Sequence, residues 1–133
     1  MSTATDGERA HPDGDRVRIV VVDDNLDAAD SLAMMLELDG YSVMTAGDAT
    51  RALDAVERHR PHCVLLDIHM PGIDGCDLAQ RLRERYGDDI VLIAVTGYDE
   101  SSERVAQTFA RVDHYFKKPI DFKFLHKILP PVR

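Results

Sequence analysis

The sequence predicts an α/β domain on a five-stranded parallel sheet, doubly wound as (βα)5, and three observations point to it. Short apolar runs alternate with amphipathic stretches through most of the 133 residues. The runs are strand-sized, rich in Val and Ile, and lack polar alternation, which marks strands covered on both faces. The stretches between them carry apolar residues at helical spacing, so each pair of strands is joined by a helical crossover.

Residues 1–16 are polar, without periodicity, and are predicted to be a flexible lead-in to a domain over residues 17–129, with 130–133 as a tail. Arg18 to Asp23 reads as the first buried strand. Leu26, Ala29, Ala33 and Leu36 share one helical face, and Gly40 ends that helix. Tyr41 to Ala46 is the second strand. Ala49, Ala52, Leu53 and Val56 follow the i, i+3, i+4, i+7 pattern of a helix, with Asp48 as N-cap and Pro61 enforcing a stop. Cys63 to Asp67 is the third strand, followed by a helix from about Asp74 that packs Leu78 and Leu82 and ends at Gly87. Ile90 to Val95 is the fourth strand, and a weakly patterned fourth helix turns Val105 and Phe109 inward. His114 to Phe116 forms a short fifth strand, and Leu125, Ile128 and Leu129 mark the last helix. Helices on both faces require a flavodoxin-like sheet, in which ligands sit beyond the carboxyl ends of the strands where strand order reverses.

Composition narrows the function. The formal net charge is −8 and Lys and Arg form no block, which argues against direct nucleic-acid binding. The longest apolar run is strand-sized, so no membrane span is expected and a cytoplasmic location follows. Two cysteines, Cys63 and Cys76, make no disulfide framework, and the six histidines match no zinc spacing.

The chemistry gathers at the strand ends. The first strand ends in Asp23-Asp24, the third in Asp67, the fourth in Thr96 and the fifth in Lys118. Each alone has a plainer explanation: a helix-dipole acid, a turn residue, a strand-end threonine, a solvated lysine. Together those explanations require a separate coincidence at every strand on one edge. Three carboxylates at one edge repel unless a cation neutralises them, and an oxygen-only set with open positions suits Mg²⁺, with Mn²⁺ as a substitute. A carboxylate beside such an ion, with an ammonium and a hydroxyl nearby, can attack a phosphoryl donor and form an aspartyl-phosphate.

The residues Val20-Val-Val-Asp-Asp24, Leu65-Leu-Asp-Ile-His-Met-Pro-Gly-Ile-Asp-Gly75, Ala94-Val-Thr-Gly-Tyr98 and His114-Tyr-Phe-Lys-Lys-Pro119 resemble the receiver domains of two-component response regulators. The likeness runs from about Val17 to Leu129, with a texture like that of receivers attached to hybrid sensor kinases. The resemblance implies that Asp67 is the phospho-acceptor and that Asp23, Asp24, Asp67 and the main-chain carbonyl of His69 hold Mg²⁺. Lys118 and Thr96 would contact the phosphoryl group, Thr96 and Tyr115 would form the switch, and the Lys118–Pro119 bond would be cis. It further implies a sensor histidine kinase or histidine phosphotransfer protein as donor, and a protein target on the face of the fourth helix, fifth strand and fifth helix. Arg111 stands where such domains commonly have Gly; a left-handed Arg there costs about 1 kcal/mol unless the loop takes another path. His69 either tunes hydrolysis of the phosphoryl group or is an exposed loop histidine.

Three other readings compete. A phosphatase of the haloacid-dehalogenase type would need an Asp two residues after the nucleophile, where His69 stands. A flavodoxin-like nucleotide or flavin module would need a Gly- or Ser/Thr-rich loop after the first strand, where Asp23-Asp24-Asn25 stands. A receiver-like scaffold that is never phosphorylated would not need the full set of site residues. Met1 reads as a natural start, so a stand-alone regulator is expected, with an excised domain of a larger chain as the alternative.

Overall fold

The computed structural model describes residues 16–67, 69–70, 73–96, 111–117, 120 and 122–129. The main sheet has five parallel strands in the order β2-β1-β3-β6-β7. They are β1 (Arg18–Val22), β2 (Ser42–Ala46), β3 (Cys63–Asp67), β6 (Val91–Thr96) and β7 (His114–Lys117). A separate antiparallel pair, β4 (His69–Met70) and β5 (Ile73–Asp74), follows β3. The helices are α1 (Leu26–Leu38), α2 (Ala49–His59), α3 (Gly75–Tyr86) and α4 (Phe122–Ile128), with a 3₁₀ turn at Gly87–Asp89.

The strands bury both faces because alternate residues enter different cores. Val20, Val22, Val64, Leu66 and Leu92 pack with Ala52, Val56, Leu78 and Leu82 of α2 and α3. Ile19, Val21, Cys63, Leu65, Ile93 and Val95 pack with Ala29 and Leu36 of α1 and Leu125 of α4. The sheet is therefore doubly wound, as the unbroken apolar runs predict.

Local signals set the helix limits. The Asp48 carboxylate accepts from Arg51 N at 2.8 Å and caps α2. The Asn25 side chain accepts from Ala28 N at 3.1 Å and caps α1. Such caps each contribute about 1 kcal/mol. Gly40 leaves α1 at φ 104°, a region open to glycine. Helix α2 ends instead on Arg60 at φ 50°, ψ 61°. A left-handed backbone at a residue with a Cβ costs about 1–2 kcal/mol, and Pro61 further restricts this position.

Several expectations change. Leu26 is 54 % exposed rather than part of the buried face of α1, because it opens the helix beside the β1–α1 turn. The β4–β5 pair was not expected; each of its strands has two residues, too few to read as a strand. Arg111 is not among the described residues with positive φ; its carbonyl instead accepts from Arg83 Nε at 2.7 Å. The loop thus avoids the strain that a left-handed Arg would carry. The expected fourth helix with Val105 and Phe109 lies outside the described residues, as do most of the lead-in and the tail.

Candidate functional site

Strand order reverses beside β1, which pairs with β2 on one side and β3 on the other. This is the switch point at which an open α/β sheet forms its ligand crevice. Val22 pairs with Leu66, so the chain reaches Asp23 and Asp67 side by side at the carboxyl edge. Both are buried, at 8 % and 6 % exposure, while Asp24 is exposed.

The turn from β1 into α1 is tied down by its own polar atoms. Asp23 N donates to Ala46 O at 3.0 Å, which extends the β1–β2 ladder by one residue. Asp23 Oδ1 accepts from Asn25 N at 3.0 Å, and Asn25 then caps α1. Sequence reading overlooked Asn25, although an Asn just before a helical pattern is a capping signal. Gly47 was also overlooked: a Cβ there would lie 3.1 Å from Leu26 Cδ2 and 4.0 Å from Asp23 O. No periodicity announces such a close approach.

Asp23, Asp24 and Asp67 each offer a carboxylate oxygen within 4.8 Å of the other two. Opposite oxygens around Mg²⁺ stand roughly 4.2 Å apart at its usual ligand distance, so the cluster is close to the spacing such an ion requires. Its donors are all hard oxygens, and the exposure of Asp24 leaves a side for water or phosphate. Without a cation three such charges repel.

The other predicted residues distribute along the same edge. Thr96 is the last residue of β6, next to Val95, which pairs with Asp67. Thr96 pairs with Lys117 of β7, so Lys118 follows that strand, outside the described residues together with Pro119. His69 opens β4, two positions beyond Asp67. Tyr115 sits on β7, exposed and opposite Ala94. The structure thus brings together Asp23, Asp24 and Asp67 and aligns the backbones of Thr96 and Lys117 beside them.

A family model for the response regulator receiver domain matches residues 19–130. The chain belongs to the response-regulator receiver family. The response regulator MprA of Mycobacterium sp. (strain KMS) is 44 % identical over 103 residues, which cover 77 % of this chain and 44 % of that protein. The receiver chain therefore spans less than half the length of the curated relatives it matches. Response regulator TrrA of Thermotoga maritima, in complex with Mg²⁺-BeF, is 31 % identical with a TM-score of 0.73, over 84 % of this chain and 94 % of that one. A Burkholderia pseudomallei response regulator with a phosphorylated aspartic acid, calcium ion and citrate is 27 % identical with a TM-score of 0.76, over 86 % and 66 % of the two chains. The receiver belongs to two-component signalling rather than to a conventional enzyme class. No helix among its described residues is long and apolar enough to cross a membrane.

Proposed function

We propose that this receiver accepts a phosphoryl group on Asp67 from a phosphohistidine of a sensor histidine kinase or histidine phosphotransfer protein. It then signals to a protein partner or relays the phosphate. The observation that carries the reading is the gathering of Asp23, Asp24 and Asp67 in the switch-point crevice, within 4.8 Å of one another. The Mg²⁺-BeF complex and the phosphorylated aspartic acid of the two related structures support the same chemistry here.

An Asp67 oxygen attacks the phosphorus, the P–O bond forms, and the P–N bond to the donor imidazole breaks. The imidazole leaves with the electron pair and takes up a proton. Asp23, Asp24, Asp67 and the main-chain carbonyl of His69 would hold Mg²⁺, or Mn²⁺ in its place. When bound, the ion neutralises charge on the phosphoryl oxygens and on the carboxylates around them. The burial of Asp67 shields its attacking oxygen from bulk water. The Lys118 ammonium pairs with an equatorial oxygen and the Thr96 hydroxyl donates to another.

The new phosphate brings negative charge and acceptor oxygens. Thr96 moves toward them, Tyr115 follows, and the population shifts between two arrangements of the face built from the expected helix with Val105 and Phe109, β7 and α4. That face meets the target protein, in the cytoplasm and without direct contact to nucleic acid.

The test is intact-protein mass spectrometry after incubation with acetyl phosphate or phosphoramidate, with and without Mg²⁺. One added phosphoryl mass is expected in the wild type only with Mg²⁺, and none in Asp67→Asn. Equal uptake by folded Asp67→Asn would remove Asp67 as acceptor. No uptake from either donor by a wild type that ignores Mg²⁺ would favour a scaffold.

A further inference from the structure

The edge of the sheet opposite the carboxylates carries a second concavity. The C-terminal ends of α2 and α3 leave a groove of about 360 Å³ there, bounded by Val56, Glu57, Arg60, Arg85, Tyr86 and Ile90. That volume is in the range that holds a small molecule. Val56 and Ile90 are buried and Tyr86 is half-buried, so the floor is apolar and carries one aromatic ring.

The rim sets two cations, Arg60 and Arg85, against one carboxylate, Glu57, in a chain whose net charge is −8. Arg85 lies 5.7 Å from the centroid of the Tyr86 ring and 3.5 Å from Glu57 Oε2. Both members of that ion pair are more than half exposed, so it yields readily to a better acceptor. Arg60 makes the stronger case. Its backbone is clamped, with its N donating to Val56 O at 2.9 Å and its carbonyl accepting from Arg18 Nε at 3.0 Å. Its guanidinium has no side-chain partner among the described residues.

Helix dipoles do not explain Arg60. Arg58 and His59 already occupy the last turn of α2, and Arg83 and Arg85 that of α3. Arg60 stands past the helix at φ 50°, a position that glycine fills without strain. Strained residues of this kind cluster where a ligand is held.

We infer that this groove binds a small amphiphilic anion, specifically a planar aromatic carboxylate. Its ring lies against the half-buried Tyr86, above the buried Val56 and Ile90. Its carboxylate takes the Arg60 guanidinium and draws Arg85 from Glu57, in the charge-assisted geometry that arginine favours. The site is independent of phosphorylation at Asp67, which lies at the other edge of the sheet.

The experiment is amide NMR titration of the ¹⁵N-labelled chain with 2-naphthoate, neutral 2-naphthamide and inorganic phosphate. We expect saturable shifts at Val56, Arg60, Tyr86 and Ile90 with 2-naphthoate, at a Kd on the order of 1 mM or below. The amide and phosphate should each bind at least tenfold more weakly. Arg60→Gly should lose at least tenfold in 2-naphthoate affinity while its Tm holds or rises, and Asp67→Asn should bind as the wild type does. Equal binding of the amide, equal binding of phosphate, unchanged affinity in Arg60→Gly, or no saturable shift would each overturn the assignment.

Discussion

At the residue scale, burial has consequences that depend on chemical type. Cys63 lies in β3 with no exposure, and burial, with Asp113 adding to it, pushes its thiol far above the ordinary value of 9.0. Tyr41 is shifted upward from 10.0 in the same sense, by burial first and then by Asp39. Both groups are neutral when protonated, and their folded pKa values exceed the unfolded ones. Their contribution is fully present below the unfolded pKa and is lost as pH rises toward the folded pKa. Urea midpoints should therefore fall from pH 9 upward, with Cys63 contributing to the loss once the unfolded thiol ionises. Cys63→Val should flatten this slope between pH 9 and 10.5; an unchanged slope would assign the alkaline loss to other groups. The acids of the site show a different economy. Asp23, Asp24 and Asp67 were legible in the sequence because each follows an apolar run, so strand phase alone carries them to one edge. Gly47 was not, because its role depends on a 3.1 Å approach to Leu26 that no local pattern encodes, whereas Asn25 was overlooked although its place before a helical pattern is a capping signal.

At the scale of elements, periodicity predicted what long segments do and turn chemistry predicted where they stop. Asp48 and Pro61 bracket α2 as read. Leu26 was misassigned because helical phase cannot tell a buried first turn from an open one. The approach to β7 was illegible for a related reason: its geometry comes from Arg83, 28 residues before Arg111. Arg83 donates to Arg111 O at 2.7 Å, to Gly87 O at 2.8 Å and to Ile90 O at 3.0 Å, and pairs with the Asp113 carboxylate. Asp113 Oδ2 in turn accepts from Leu92 N at 2.8 Å. One planar fork thus joins α3, the start of β6 and the approach to β7. A lysine ammonium cannot reach all of these acceptors. Arg83→Lys should cost about 2–3 kcal/mol in urea unfolding. Asp113→Ala should show a coupling of at least about 1 kcal/mol with it in a double-mutant cycle. A change within about 0.5 kcal/mol would reduce the fork to a surface contact.

At the scale of the whole molecule, the fold and the site oppose each other. Two apolar cores hold the sheet in place. The switch point then forces three carboxylates to within 4.8 Å. The doubly wound parallel sheet was legible because unbroken apolar strands need cover on both faces. The cost of the site was legible only as a count of acids, since repulsion depends on how close the edges bring them. If Mg²⁺ relieves it, the ion must stabilise the folded chain by mass action, by about 2.7 kcal/mol at a free concentration 100 times its Kd, which is several degrees of Tm. Asp24→Asn separates this binding from general screening. It removes one repelling charge, so its Tm without Mg²⁺ should equal or exceed that of the wild type. It also removes a ligand, so most of the increment from Mg²⁺ should disappear. The increment should persist for the wild type at a constant ionic strength set with NaCl, because screening by monovalent salt does not depend on a ligand set. Equal increments in the two proteins at fixed ionic strength would remove Asp24 from the ligand set, and no increment in either would leave the carboxylates a cluster with no ion to hold.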